Sequence, residues 1–298
     1  MKKTILLALA IVAMSACTKE ESTISAFTDA PVSISTSVAE TRATTYTTYT
    51  GSDLSLTIIH PSSSDYSYYG TVWEYKNDVW GCDDQVLWRN STDAVKIYAF
   101  ASLIGNVATE YTYNNYSGIV DINQSSLASF TSSDFVTYIN ESYTPTSTKL
   151  AIPFEHKLSK FNIALSYGDQ FGETTPTVTS VKVNAVNKFT YTIISGVETV
   201  AATSDAATAI TAYANTANTS YSVILPAQSI TTGNLIDIVI DGDTFSLPAG
   251  SGYSFVSNYE YNIKVRVGKD VTVVEDITVG GWSTGSDFSD GDAEYQSN

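Results

Sequence analysis

The histidines and cysteines are the residues best suited to chemistry in this chain, and they are few. Among 298 residues there are two histidines, His60 and His156, and two cysteines, Cys17 and Cys82. Neither histidine has a cysteine or a serine elbow beside it, and no Gly-x-Ser-x-Gly segment is present. We therefore expect His60 to lie in a turn before Pro61 and His156 to be packed and hydrogen-bonded. We expect no enzyme: no catalytic residue, no metal site and no cofactor.

The composition excludes whole classes of protein. Hydrophobic residues make up 43% and aromatic residues 12% of the chain, which excludes a disordered protein. The chain has 15 basic and 31 acidic residues, a net charge of -16 and a pI of about 4.3. Such a polyanion repels nucleic acid, so we expect no nucleic-acid partner.

The first 17 residues resemble a lipoprotein signal. Two lysines precede a short apolar run, Ile5–Ala13, and small residues come just before Cys17. The run is too short to span a bilayer and has the flanks of an export signal. We predict a signal peptide over residues 1–16 and lipid on Cys17, which would anchor the chain to the outer membrane. An ordinary signal peptide followed by a chance cysteine is the alternative.

The tract Thr18-Lys19-Glu20-Glu21 follows the lipidated position directly. It resembles the signal that sends Bacteroidetes lipoproteins to the cell surface, although by composition alone it is a solvated tether. With lipid on Cys17, Cys82 is the remaining thiol and an intrachain disulfide is excluded. We expect Cys82 to be a small apolar residue near Trp80.

Apolar and polar residues alternate along almost the whole chain that follows, as in half-buried strands. The segments Tyr259–Val267 and Phe161–Tyr167 are clear examples, and Asp241-Gly242 is a type I′ hairpin signal. The pattern predicts an all-β fold of two tandem antiparallel β-sandwiches. We expect one helical interruption within 125–138, and a long loop or weak helix over 200–218.

A change of composition at 143–148 suggests a domain boundary. We predict four parts: the signal peptide, a segment at 17–42, a first sandwich at 43–147 and a second at 148–298. The second ends in an acidic tail, Asp287 to Asn298. The carboxylates of this tail suit calcium, but their spacing is not that of an EF-hand, and a solvated tail explains them as well.

An aromatic-rich stretch runs from Tyr66 to Trp80 and includes Trp73 and Tyr75. Its rings could stack on a sugar. Alternatively, the alternation of these residues is that of a strand facing a core.

An early strand is followed by a linker that a protease could cut. Val32, Ile34, Thr36 and Val38 alternate with serines, which predicts a half-buried strand over 31–38. Arg42 follows in a polar linker with small neighbours, where a trypsin-like protease could reach it. A linker arginine with no processing role is the alternative.

These features together resemble the fimbrillin family, the lipoprotein-derived (type V) pilus subunits of Bacteroidetes. The lipoprotein signal, early strand, lone linker arginine and two β domains occur in the family's order. Three further segments are similar to family motifs: the Phe-x-His segment at 153–161, the strand ending in Leu-Pro at 221–228, and the paired segments at 259–282.

The resemblance implies transthyretin-like sandwiches and an assembly mechanism. Family subunits are cut after a linker arginine by an arginine-specific protease, which here falls between Arg42 and Ala43. The cut removes residues 17–42, and a strand of the next subunit fills the groove, giving a homo- or heteropolymer. The implied donor lies in the C-terminal region, where we expect five residues to form the donor: Val271, Val273, Ile277, Val279 and Trp282. Glu275 interrupts the face that the valines and isoleucine share.

The sequence therefore predicts a structural subunit of a cell-surface fimbrium that supports adhesion to a host or bacterial glycan or protein. A glycan-binding lipoprotein that keeps its lipid and its first strand is the alternative. The fimbrial subunit requires both strand 31–38 and Arg42, whereas the glycan-binding protein requires neither.

Overall fold

The computed structural model describes residues 26–39, 46–49, 53–101, 114–268 and 272–282. As far as His156, the described chain forms eleven strands, one short α-helix and a single 3-10 turn at Ser64–Tyr66. The strands and the helix are β1 (Thr28–Pro31), β2 (Ile34–Ala39), β3 (Tyr46–Thr48), β4 (Leu54–Ile59), β5 (Tyr68–Lys76), β6 (Val79–Cys82), β7 (Leu87–Asn90), β8 (Val95–Ala101), β9 (Asn115–Ile119), α1 (Leu127–Ser132), β10 (Val136–Tyr143) and β11 (Leu150–His156).

The rest of the described chain forms thirteen strands. They are β12 (Ser159–Tyr167), β13 (Val178–Ala185), β14 (Lys188–Ile194), β15 (Val197–Ala202), β16 (Thr208–Thr211), β17 (Tyr213–Thr216), β18 (Ser220–Leu225), β19 (Gln228–Ile230), β20 (Asn234–Ile240), β21 (Asp243–Pro248), β22 (Tyr253–Phe255), β23 (Tyr259–Val267) and β24 (Thr272–Gly281).

The first half is built around an eight-stranded sheet with the order β3-β2-β11-β10-β8-β4-β5-β6, accompanied by the two-stranded ladder β1-β7. Alternate residues of its strands, such as Leu56, Ile97 and Ile152, point to one face and form the first core. Trp73, Trp80 and Trp88 belong to the same core.

The second half contains a five-stranded sheet, β17-β18-β12-β23-β24, and a four-stranded sheet, β16-β13-β20-β21, which share the second core. Alternation explains which side chains enter it: Phe161 and Ile163 of β12 are buried, as are Ile236 and Ile238 of β20. A three-stranded sheet, β15-β14-β9, extends this core, and β19 pairs with β22.

The middle of the eight-stranded sheet, at β4 and β8, is buried on both faces. In β8, Ile97 belongs to the first core, whereas Phe100, three residues later, belongs to the second. Phe100 packs edge-on against Tyr191 of β14, with ring centroids 5.2 Å apart, and stacks on Phe135 at 6.2 Å. Phe135 also contacts Phe189 of β14 at 5.3 Å. We call this cluster the aromatic junction, because it joins the two halves of the molecule.

The predicted all-β class is confirmed, and the predicted hairpin at Asp241-Gly242 joins β20 to β21. Both turn residues have positive φ, 52° and 94°, as a type I′ turn requires. The sheets are not purely antiparallel, because β2 pairs parallel with β11 and β12 pairs parallel with β23. Both parallel pairs join strands distant in sequence, where the connection is long enough to return the chain in the same direction.

Two local predictions need correction. The loop or weak helix expected over 200–218 is wrong, because the end of β15 and the strands β16 and β17 lie there. Threonine suits a pleated strand, and pairing with β13 and β18 decides the conformation of this polar segment. The helix expected within 125–138 is shorter than predicted: α1 covers Leu127–Ser132 and is capped by the Ser126 hydroxyl, which accepts from the Ser129 amide.

The predicted boundary at 147/148 does not coincide with a change of sheet. β10 and β11 flank it and pair with each other in the eight-stranded sheet. β9, from the first predicted domain, pairs with β14 of the second. The two predicted domains therefore interlock, and the extent of each folding unit remains a prediction.

Candidate functional site

The N-terminal segment, which we define as residues 26–39, is built into the first half of the molecule. β2 lies between β11 and β3, parallel to the former and antiparallel to the latter. Just before β2, the Val32 amide donates to the Val86 carbonyl at 2.9 Å, and the Leu150 amide donates to the Ser33 carbonyl at 2.8 Å. The segment therefore supplies both backbone pairing and side chains to its surroundings.

The four side chains predicted to form the displaced strand face the first core. Val32, Ile34 and Thr36 are buried and Val38 is half-buried, while Ser33 and Ser35 between them are exposed. The predicted strand over 31–38 is interrupted, because β1 ends at Pro31 and β2 begins at Ile34. The break falls where the chain passes from pairing with β7 to pairing with β11. The alternation of burial nevertheless continues across it.

Thr36 is the polar member of this apolar stripe, and its hydroxyl has two partners. It donates to the Tyr49 carbonyl at 2.6 Å and accepts from the Trp80 indole Nε1–H at 2.9 Å. Trp80 is 7% exposed, so its N–H depends on a protein acceptor. The sequence pattern places Thr36 in the stripe but does not indicate this hydrogen bond. Its one signal is a threonine at a position where the pattern calls for an aliphatic residue.

β3 and Tyr49 depend on the N-terminal segment. Within the described residues β3 pairs with β2 alone, so it forms the edge of the eight-stranded sheet. The Tyr49 ring stacks on Trp80 with centroids 6.4 Å apart and packs edge-on against Phe154 at 5.3 Å. Removal of β2 would leave β3 without its strand partner, with Tyr49 as its contact to the core.

The C-terminal strand β24 forms the other candidate surface. Within the described chain it pairs only with β23, at the edge of its sheet. A β-bulge lies at Glu275, because Asp276 pairs with Lys264 and Val274 pairs with Val265. The Glu275 side chain is exposed and accepts a hydrogen bond from the Ser166 hydroxyl at 3.0 Å.

The bulge corrects the prediction that the apolar residues of β24 share one face. Val273 lies opposite Arg266, on the solvent face of β23, whereas Ile277 lies opposite the buried Ile263. The extra residue of a bulge shifts the alternation by one position, so the two halves of the strand face opposite ways. Three of the predicted donor residues are nevertheless exposed in this docked position: Val273 (43%), Ile277 (38%) and Val279 (37%).

Trp282 differs from the other predicted donor residues because it is buried. Its ring stacks on His156 at the end of β11, with centroids 4.1 Å apart and planes 5° apart. His156 Nδ1 is in turn 2.8 Å from a carboxylate oxygen of Asp134. The expectation that His156 is packed and hydrogen-bonded is therefore confirmed. The stack fastens the end of β24 to the first half of the molecule.

Replacing Trp282 with alanine is expected to loosen β24. Loss of a buried indole of this kind lowers the free energy of unfolding by about 3 kcal/mol. Hydrogen exchange of the β24 amides should accelerate more than that of β12, because the indole anchors the end of β24 itself. Trp282→Phe keeps a ring on His156 and should lie between wild type and alanine. Unchanged exchange in β24 of the alanine variant would contradict the fastening role.

The aromatic-rich stretch mostly faces the first core. Trp73 and Trp80 are 4% and 7% exposed, and Tyr75 packs on Trp80 with centroids 5.3 Å apart. Tyr69, at 62% exposure, is the ring most open to solvent among them. The interpretation of the stretch as a strand facing a core therefore accounts for its tryptophans.

The remaining predicted sites are His60, Cys82 and the possible metal ligands. His60 lies directly after β4 and is buried, and its Nδ1 accepts from the Ser62 amide at 3.2 Å. Burial raises the pKa of the half-buried Cys82 thiol. Among the residues that the structure describes, no group of three or more potential ligands could hold a metal ion.

Several predicted sites lie outside the described residues. They are Cys17, Arg42, Ala43, Val271 and the acidic tail. In the part of the chain that is described, no helix is long and apolar enough to cross a membrane.

Comparison with known protein families identifies the family of the chain. Residues 41–282 match the fimbrillin-like family. The chain belongs to this family. The match covers both halves of the described structure and begins one residue before Arg42. A comparison with curated proteins gives no match.

Solved structures share the fold of this fimbrillin-like chain. A candidate cell adhesion protein from Bacteroides ovatus superposes with a TM-score of 0.63 at 11% identity, covering 87% of this chain and 100% of the other. A second candidate cell adhesion protein, from Bacteroides uniformis, gives a TM-score of 0.60 at 15% identity, with coverage of 85% and 98%. At these identities the likeness concerns the fold.

Proposed function

We propose that this fimbrillin-like chain is a structural subunit of a cell-surface fimbrium that assembles by donor-strand exchange. In this proposal it is exported as a lipoprotein through Cys17, held at the outer membrane, and cut between Arg42 and Ala43 by an arginine-specific protease. The observation that carries the proposal is the N-terminal segment, whose strand β2 fills a position between β11 and β3 and ends three residues before Arg42.

The buried stripe explains why release of this segment would drive polymerisation. Val32, Ile34 and Val38 at roughly 1.5–3 kcal/mol each contribute on the order of 5–9 kcal/mol, before the cost of ordering the strand. Departure of β2 would expose Leu150, Ile152 and Phe154 beside it, together with the unpaired backbone of β11. Such an edge recruits another strand.

β24 is the strand that we propose as donor. It lies at a sheet edge, has a single neighbour among the described strands and exposes Val273, Ile277 and Val279. A strand with this much exposed apolar surface gains by burial elsewhere. Release of β24 would also require Trp282 to leave its stack on His156.

Glycan binding is the second candidate function, and the described surface gives it less support. A sugar platform needs exposed aromatic faces, whereas Trp73, Trp80 and Trp88 are buried. Adhesion of the fimbrium to a host or bacterial glycan or protein stays part of the proposal. Its binding residues are not assigned.

The test is the mature N-terminus and lipid status of the protein in surface structures sheared from its native cells. A lipid-free polypeptide beginning at Ala43, in high-molecular-weight polymers without covalent links, is the expected result. Monomer with acylated Cys17 would contradict the polymerising subunit. Sugar arrays would then test the glycan-binding alternative.

A further inference from the structure

The bulge at Glu275 makes docked β24 a poor match to the sheet edge that it occupies. Three apolar β-branched residues of the strand, Val273, Ile277 and Val279, stay exposed, and the exposed Glu275 carboxylate accepts from the Ser166 hydroxyl. Without the bulge, strict alternation would return Val273, Glu275, Ile277 and Val279 to one face. That face contains one acidic residue among three apolar ones.

The straightened face matches the stripe of β2 position for position. The stripe, read from Val32 to Val38, has the order Val, Ile, Thr, Val. The β24 face, read from Val279 back to Val273, has the order Val, Ile, Glu, Val. Glu275 therefore occupies the position of Thr36. Read forward from Val271, the face has an acid at the third position as well, so the match does not depend on strand direction.

Thr36 performs a task that an apolar side chain cannot perform. Its hydroxyl is the acceptor for Trp80 Nε1–H at 2.9 Å, and an indole nitrogen can only donate. A wholly apolar incoming strand would leave this buried donor unpaired, which is unfavourable. A glutamic acid side chain offers an acceptor oxygen, and when protonated it can also donate to the Tyr49 carbonyl, as Thr36 does.

We propose that, at each junction between subunits, Glu275 of an incoming second copy replaces Thr36 as the hydrogen-bond acceptor for Trp80 and so sets the register of the inserted strand. The inference rests on the strand exchange proposed above. A slip by two residues would place an aliphatic side chain against Trp80 Nε1 and Glu275 among aliphatic neighbours. A slip by one would bring the other face of the strand, with Asp276, toward the core. Both slips are penalised, so a single polar contact selects one register.

The test compares polymers of the processed full chain by their resistance to denaturant. Glu275→Gln keeps an acceptor and a donor without charge, and its junctions should be at least as resistant as wild type. Glu275→Leu adds apolar surface but removes the acceptor, and its junctions should be weaker by about three- to tenfold in dissociation constant. Asp276→Leu is the matched control, because it removes the same charge from the opposite face and should not weaken them.

Glu275→Leu both removes the hydrogen-bond acceptor and changes the apolar surface of the inserted strand. A second measurement distinguishes these two effects. It repeats the comparison in a Trp80→Phe background, whose monomer is first shown to melt cooperatively. Without the indole N–H there, Glu275→Leu should no longer weaken the junction. The register role would be overturned if Glu275→Leu polymers were as resistant as wild type, or if the substitution weakened junctions equally in both backgrounds. Wild-type chain that is cut after Arg42 and forms no polymer would instead overturn the proposed strand exchange.

Discussion

Arg42→Ala chains are expected to reach the cell surface but to stay monomeric, with the N-terminal segment in place. Without the cut, an incoming strand must displace a covalently tethered stripe worth about 5–9 kcal/mol. Because each 1.4 kcal/mol is tenfold in an equilibrium constant, the yield of polymer should fall by at least about two orders of magnitude. Gel analysis of sheared surface protein and mass spectrometry of the N-terminus measure both parts of this expectation.

The other two arginines of the chain provide matched controls. Arg89 lies in β7 and its guanidinium is 3.2 Å from the Ser62 hydroxyl, while Arg266 lies in β23. Strand residues are poor protease substrates, so Arg89→Ala and Arg266→Ala should be processed and should polymerise like wild type. Abundant polymer from Arg42→Ala would show that the segment leaves by another route or does not leave at all.

Glu198→Gln is expected to destabilise the whole molecule, because half-buried Glu198 pairs with buried Lys157 beside the aromatic junction. Lys157 Nζ is 2.6 Å from Glu198 and 3.0 Å from Glu155. The hydroxyls of Thr137 and Tyr191 donate to the other Glu198 oxygen at 2.5 and 2.6 Å. Since Thr137 lies in β10 and Tyr191 in β14, the cluster ties together both halves of the molecule.

The expected loss is about 3 kcal/mol, the lower end of the range for breaking a buried pair, because Glu155 still faces Lys157. The melting temperature should fall by roughly 6–12 °C. Burial lowers the pKa of Lys157, but Glu198 and Glu155 outweigh it and leave this pKa above its ordinary value. The lysine's contribution is thus fully present at neutral pH and is lost only as the pH rises through the raised pKa.

The exposed pair between Lys188 and Asp205, 3.4 Å apart, is the control. Asp205→Asn removes the charge of a solvent-exposed carboxylate and should leave the melting temperature almost unchanged. Equal melting temperatures for Glu198→Gln and wild type would show that the ion pair adds nothing to the junction.

Local alternation predicts much of this fold because one face of most strands is buried. Phe161 and Ile163, or Ile236 and Ile238, point inward as their period-2 spacing indicates. The pattern fails where pairing rather than hydrophobicity decides the structure, as in β16 and β17. It also fails at Glu275, where the sequence shows an acidic residue interrupting an apolar face but only the pairing with β23 reveals a bulge.

The candidate site is predicted in part. The stripe from Val32 to Val38 is visible in sequence because it is periodic. The contacts of Thr36 with Trp80 and of Trp282 with His156 join residues far apart in the chain, and a single sequence does not indicate which distant side chains will meet. The Lys157–Glu198 pair is also formed by residues far apart in the chain. In addition, charged residues are usually exposed, so the sequence does not suggest that this pair is packed inside.

The middle of the eight-stranded sheet is buried on both faces, and this has a mechanical consequence. Phe100, Tyr191 and Phe135 pack between the halves, and β9 reaches across to pair with β14. Such a body resists bending and twisting about its middle, because any hinge there would have to separate close-packed rings. In a filament built from these bodies, bending would be confined to the junctions between subunits. The distance between junctions would then set the smallest radius of curvature that the filament can adopt.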